Sequence, residues 1–188
     1  MLEIAIMLEG QNGLNWSRWQ NIVRLVEELG FVGLYRSDHF TNMNPPDKDS
    51  LELWTSLTWL ACNTKRIEFG PLVSPVSFRH PAQTARMAVA VDDLSGGRLT
   101  LGLGAGWQER EHQVFGFDLL DAKPRFERFE EGLPEAARPK DSARATITDP
   151  GSDAETERFT EACGRIFMLL SSDAPQGGKC ESFDRYVT

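Results

Sequence analysis

Apolar residues in this chain fall into two alternating kinds of cluster as far as about residue 133. Four short, largely apolar runs, Leu2–Leu8, Phe31–Tyr35, Ile67–Val73 and Leu99–Leu103, have the length and density of buried parallel strands. Between them, apolar residues recur at helical spacing. Trp19, Ile22, Val23, Val26 and Leu29 predict a helix from about Trp16, with Asn15 or Ser17 as cap and Gly30 as a left-handed terminator. Leu53, Trp54, Leu57, Leu60 and Ala61 predict a second helix, started by a capping box of Asp49 and Glu52. It follows a loop whose paired prolines, Pro45 and Pro46, exclude helix. An alanine-rich third helix runs from Pro81, at a first helical position that needs no N–H, to Leu94. Phe126, Phe129 and Leu133 predict a fourth, from near Pro124.

Strand, helix, strand at this spacing is a βαβ unit, with parallel strands and a right-handed crossover. The strands begin near residues 2, 32, 66 and 98, a repeat of about 30 to 34 residues. That is the period of a (β/α) solenoid closing into a barrel. The expected fold class is therefore α/β, the N-terminal half of a TIM (β/α)8 barrel with four βα units. In such architectures ligands sit at the carboxyl ends of the strands. The segments after the second, third and fourth strands, Arg36–Phe40, Pro71–Pro75 and Gly102–Trp107, are where a site belongs.

The pattern ends at Pro134. Between residues 134 and 188 only eight residues are Val, Ile, Leu or Phe, too few for a core. The expected organisation is a (β/α) domain over 1–133 and a tail over 134–188, mostly disordered. Phe159, Cys163, Ile166, Phe167 and Leu170 predict one amphipathic helix around 154–171.

Net charge −8 and pI about 4.9 argue against nucleic acid as a partner. No apolar run approaches the ~18 residues of a membrane span, and the N-terminus lacks a basic secretory segment. Cys62, Cys163 and Cys180 are scattered and odd in number, which suits a reducing cytoplasm and gives neither a disulfide framework nor a zinc pattern. Three separated histidines give no metal spacing.

Individual residues admit a chemical and a plain reading. Asp38 and His39 follow the second strand; spacing alone favours a hydrogen-bonded turn pair over an acceptor and a proton carrier. The G-x-G-x-G loop lacks the spacing of a dinucleotide turn, but its glycines let the N–H groups of Ala105 and Gly106 approach an anion or ring edge. Trp107 reads as a stacking surface, a pocket cap, or core. Glu109 and Glu111 read as a charged helix face, and His112 as a residue of a solvated helix. Arg79 and His80 could meet an anion at the start of the third helix, but read better as a surface ion pair and a helix cap.

The stretches GLYRSDHF, IEFGPLVSPVSFRHP, DDLSGGRLTLGLGAGWQEREHQVFGF and RFERFEEGL resemble the luciferase-like monooxygenase superfamily, especially its coenzyme F420 branch. The resemblance implies a TIM barrel with the flat cofactor ring at the strand C-termini. It places Asp38 and His39 beside that ring, Asp38 as acceptor and His39 as the catalytic residue handling protons. It implies a non-proline cis peptide at Pro71–Leu72 under the ring, with Ser74 hydrogen bonded to the cofactor, and Ala105, Gly106 and Trp107 in the loop that holds it. Trp107 departs from the sugar-phosphate dehydrogenases of this family, which carry a catalytic glutamate there. The implied function is that of a cytoplasmic oxidoreductase moving a hydride between F420 and a small organic substrate. The alternatives are an FMN-dependent monooxygenase on the same scaffold, and a non-catalytic truncated fragment or association module. The family continues past such an RFERFEEGL with more helix and four further strands, whereas Pro134 opens a non-homologous tail that reads as replaced or out of frame. The chain as written is thus expected to lack activity, and its exposed sheet edges to give a homo-oligomer.

Overall fold

The alternation of the sequence becomes alternating strand and helix in the computed structural model, which describes residues 3–136 and 166–168, with side chains described as far as Gly132. In chain order these are β1 (Ala5–Leu8), α1 (Trp16–Leu29), β2 (Gly33–Arg36), α2 (Leu53–Asn63), β3 (Glu68–Pro71), β4 (Ser74–Pro75) and α3 (Pro81–Ser95). Then come β5 (Leu101–Gly104), α4 (Glu109–Phe115), α5 (Ala122–Ala136) and β6 (Ile166–Met168).

All the ladders are parallel. β1 pairs with β2 from Ala5↔Gly33 to Leu8↔Arg36, and β2 with β3 from Gly33↔Glu68 to Arg36↔Pro71. β3 then meets the start of β5 through Phe69 and Leu99, and β4 and β6 flank β5 on its two sides. At the β3–β5 crossing the backbones come so close that a Cβ at Gly70 would overlap the Thr100 carbonyl oxygen; glycine is required there.

Helices α1, α2 and α3 cover the sheet. The core joins Trp19, Val23 and Val26 of α1 and Leu53, Leu57 and Leu60 of α2 to Leu34, Ile67 and Phe69. The caps explain the helix limits. Asn15 Oδ1 accepts from the Arg18 N–H, and Gly30 stops α1 with a φ of 85°. Pro81 opens α3 behind His80, whose Nδ1 accepts from the Ala82 N–H. At the end of the sheet away from the ligand loops, Arg98 donates to the carbonyl oxygens of Ala61, Thr64 and Ile67 through its terminal nitrogens and to Ser95 through Nε. One guanidinium thus satisfies the last carbonyls of α2 and α3.

Several expectations shift. The capping box at Asp49 does not form, because Leu51 donates to the Leu14 carbonyl and the Asp49 carbonyl accepts from Gly13, which keeps this stretch extended. Glu52 is itself the cap, accepting from the Thr55 N–H at 2.6 Å. Leu29, placed on the buried face of α1, is exposed at the helix end. The predicted third strand, Ile67–Val73, ends at Pro71, and the chain crosses to a second ladder at β4. The helix expected around 154–171 is contradicted at Ile166–Met168, which pairs instead with Leu101–Leu103 and so satisfies the backbone of an otherwise free sheet edge. The remainder of that helix, and the disorder expected for the tail, lie outside the described residues. No helix among the described residues is long and apolar enough to cross a membrane.

Candidate functional site

Parallel pairing puts the ends of β1, β2, β3 and β5 on one side of the sheet, and the segments that leave them carry Asp38, His39, Leu72, Ala105, Gly106 and Trp107. The β1 and β2 loops are joined first. The Ser37 N–H donates to the Leu8 carbonyl, and Ser37 Oγ accepts from the Gly10 N–H at 2.9 Å and donates to Gln11 Oε1. Behind them Arg36 is wholly buried, donating to Ser56 Oγ and the Leu51 carbonyl; burial pulls its pKa down to about 10, against the opposing pull of Asp38 and Glu52.

Asp38 lies at the centre. Its Oδ2 accepts from Ser74 Oγ at 2.7 Å and from Arg79 Nη1, and its Oδ1 accepts from Arg79 Nη2 at 3.2 Å. Arg79 Nη2 also reaches Glu52 Oε1 at 2.9 Å. Burial pushes the Asp38 carboxyl up, and Arg79 and Ser74 pull it back. Burial works against the Arg79 charge in the same way, but Asp38 and Glu52 hold its pKa above the usual value. The expected surface ion pair of Arg79 is thus largely buried, and it binds the β2 loop to the segment entering α3.

His39 stands at the rim, with its side chain 19% exposed. Its Nδ1 lies 2.9 Å from Glu111 Oε2, and its Nε2 has no partner among the described residues. Trp107 meets the imidazole edge-on, ring centres 5.5 Å apart, and is 40% exposed, so it is not core. Glu111 overturns the charged-face expectation: it is fully buried, and its Oε1 accepts from the N–H groups of Phe40 and Thr41. His112 is likewise buried, not solvated. Its Nδ1 bonds the Gln108 carbonyl at 2.7 Å, and its Nε2 lies 2.8 Å from Ser77 Oγ. Gly106, at a φ of 88°, leaves room for that pair, since a Cβ there would fall 2.5 Å from Ser77 Oγ.

The non-proline cis peptide is present, but between Leu72 and Val73, one bond later than expected. Leu72 still donates to the Arg36 carbonyl at 2.8 Å, so the Pro71–Leu72 peptide remains in the ladder and the turn comes after it. Ser74 is buried and points its hydroxyl at Asp38; Pro71 and Leu72 flank it at the end of β3. Ala105 is buried behind the Gly106 turn, whose carbonyl accepts from Arg125 at 2.8 Å. Glu111 and Arg79 are the residues that sequence reasoning missed. No group of His, Cys, Asp or Glu among the described residues has the arrangement of a metal site.

Known proteins share this strand–helix fold. The 5,10-methylenetetrahydromethanopterin reductase of Archaeoglobus fulgidus is 37% identical over 84 residues, 45% of this chain and 23% of the reductase. An F420-dependent secondary alcohol dehydrogenase, solved with an F420-acetone adduct, superposes with a TM-score of 0.65 at 18% identity, covering 79% of this chain and 45% of that one. The oxygenating constituent of the Pseudomonas putida 3,6-diketocamphane monooxygenase, solved with FMN, gives a TM-score of 0.59 at 17% identity, covering 82% and 46%. The chain thus spans about a quarter of that curated relative and under half of each of these structures. The model of the family described as luciferase-like monooxygenase matches residues 3–134, the whole strand–helix region that builds the polar cluster, and the chain belongs to that family.

Proposed function

We propose that this chain carries half of the cofactor site of an F420-dependent oxidoreductase acting on a small organic substrate. The observation that carries the reading is the Nε2 of His39, without a partner among the described residues, beside the half-exposed indole of Trp107 at the C-terminal ends of parallel strands. A flat aromatic surface next to one free polar atom fits a planar ring with polar edges. Similarity to a reductase and to an F420-bound dehydrogenase supports the same choice. The deazaflavin would supply or accept the hydride. His39 gives or takes the accompanying proton at Nε2. Leu72, Gly106 and Trp107 would hold the cofactor from the β3 and β5 sides, and the buried Asp38, Pro71, Ser74 and Ala105 would shape the loops that carry them. With Trp107 where related dehydrogenases carry an acid, no carboxylate from that position takes part in proton transfer.

FMN on the same scaffold is the second reading, favoured by the likeness to the FMN-bound monooxygenase. Titration of the chain, and of the chain joined to the C-terminal half of a related enzyme, with F420 and FMN separates the two. Tighter binding of F420 to the joined barrel is expected; tighter FMN binding overturns the assignment.

A further inference from the structure

We infer that Glu111 is the positioning residue for His39, fixing the hydrogen of the neutral imidazole on Nδ1 and leaving the Nε2 lone pair free as the proton acceptor of the site. The tautomer follows from geometry alone; its use in turnover rests on the oxidoreductase reading.

Three donors converge on the Glu111 carboxylate, all from consecutive residues of the β2–α2 loop. Phe40 and Thr41 give their backbone N–H groups to Oε1, and His39 presents Nδ1 to Oε2 at 2.9 Å. A carboxylate only accepts, so the hydrogen in the last bond belongs to Nδ1. The Glu111 side chain is 0% exposed, which removes water as a competing partner. With Nδ1 committed, Nε2 is the atom that exchanges protons, and it is the one left without a partner among the described residues.

The neighbouring side chains hold the arrangement. Gln108 donates to the carbonyl and hydroxyl oxygens of Thr41, and Arg110 to the Asn42 carbonyl, so the loop is also fastened to the start of this helix, just ahead of Glu111. Trp107 packs against the imidazole in a T-shaped contact. The charged groups facing His39 are Glu111 from α4, Glu9 from the β1 loop and Asp38 from the end of β2; Arg79 neutralises the last. Burial lowers the His39 pKa, and these acids, Glu111 foremost, raise it above the ordinary value.

Nitrogen NMR of the full chain carrying labelled histidine tests this, with His39→Gln assigning the signal. Neutral His39 is expected mostly as the Nδ1–H tautomer. In Glu111→Gln the amide oxygen still accepts from Phe40 and Thr41, but the amide N–H now faces Nδ1. The population should reverse to mostly Nε2–H, and the imidazole pKa should fall. A merely structural Glu111 would alter stability without reversing the tautomer. Mostly Nε2–H in the unmodified chain, or an unchanged tautomer in a folded Glu111→Gln, overturns the inference. Should that variant not fold, the tautomer of the unmodified chain still decides. A failed cofactor titration would sink the functional reading and leave this assignment standing.

Discussion

Arg79 grips Asp38 with both terminal nitrogens across the gap between the end of β2 and the start of α3. The carboxylate is almost wholly buried, with Ser74 Oγ its only other hydrogen-bond partner among the described residues. Truncating the arginine leaves a charge in a place water does not reach. Arg79→Met is expected to destabilise the fold by about 3 kcal/mol. Adding Asp38→Asn should recover part of that loss, as measured by urea unfolding of the single and double variants. Equal stability of Arg79→Met and the parent would show that the pair contributes nothing.

The sequence revealed the scaffold better than it revealed this pair. Strand and helix positions follow from dense apolar runs and from caps such as Asn15, Gly30 and Pro81, which depend on local spacing. The site depends on contacts across long separations, and there spacing misleads. In α4 the apolar residues Val114 and Phe115 are 57% and 49% exposed, while Glu111 and His112 are buried. That helix packs its polar face inward because the loop it holds offers N–H and carbonyl groups rather than methyls. Amphipathic analysis turns such a helix the wrong way round. Asp38 and His39 were legible only through the resemblance, and the cis bond was misplaced by one residue because strand register is invisible in one sequence.

Stability should depend on pH through His39. Its folded pKa lies above the unfolded value near 6.5, chiefly because Glu111 overrides the effect of burial. A raised pKa gives stability that is fully present below about 6.5 and is lost as pH rises through the folded value. Unfolding midpoints should therefore fall as pH rises above about 6.5 more in the parent than in His39→Gln. Parallel profiles for the two proteins would remove the linkage.

Gly106 is a point of no tolerance. Its φ of 88° is costly for any residue with a Cβ, and that Cβ would fall 2.5 Å from Ser77 Oγ. Gly106→Ala is expected to cost about 1 to 3 kcal/mol and to disturb the bond between Ser77 and His112. Loss of a hydrogen-bonded His112 ring proton signal, expected in the parent's NMR spectrum, alongside denaturant unfolding, would report both effects. Unchanged unfolding would mean that the turn relaxes freely.

Arg98 offers a contrast from the far end of the sheet. Its removal uncaps carbonyls at the ends of α2 and α3 but touches none of the ligand loops. Arg98→Met should lower stability by on the order of 2 kcal/mol. Cofactor affinity of a joined barrel should stay within about twofold of the parent when measured below the unfolding transition, a shift of only ~0.4 kcal/mol. A large affinity loss would connect the two ends of the sheet more tightly than the contacts suggest.

The sharpest division between binding and chemistry is expected at His39. The imidazole meets Trp107 in a T-shaped contact and Glu111 through Nδ1, so its removal takes away a proton carrier while leaving the strand ends intact. Ser74 still holds Asp38, and Arg79 still holds both, so the β2 and β3 contributions to the cofactor site persist. On the joined barrel, His39→Ala should lower kcat about 100-fold or more, in line with the loss of one general acid–base group. The Kd for F420 should rise no more than severalfold, because proton handling acts on the transition state rather than on the bound cofactor. Stopped-flow hydride transfer and fluorescence titration measure the two quantities separately. A variant with parental turnover would return His39 to the role of a turn residue held by Glu111.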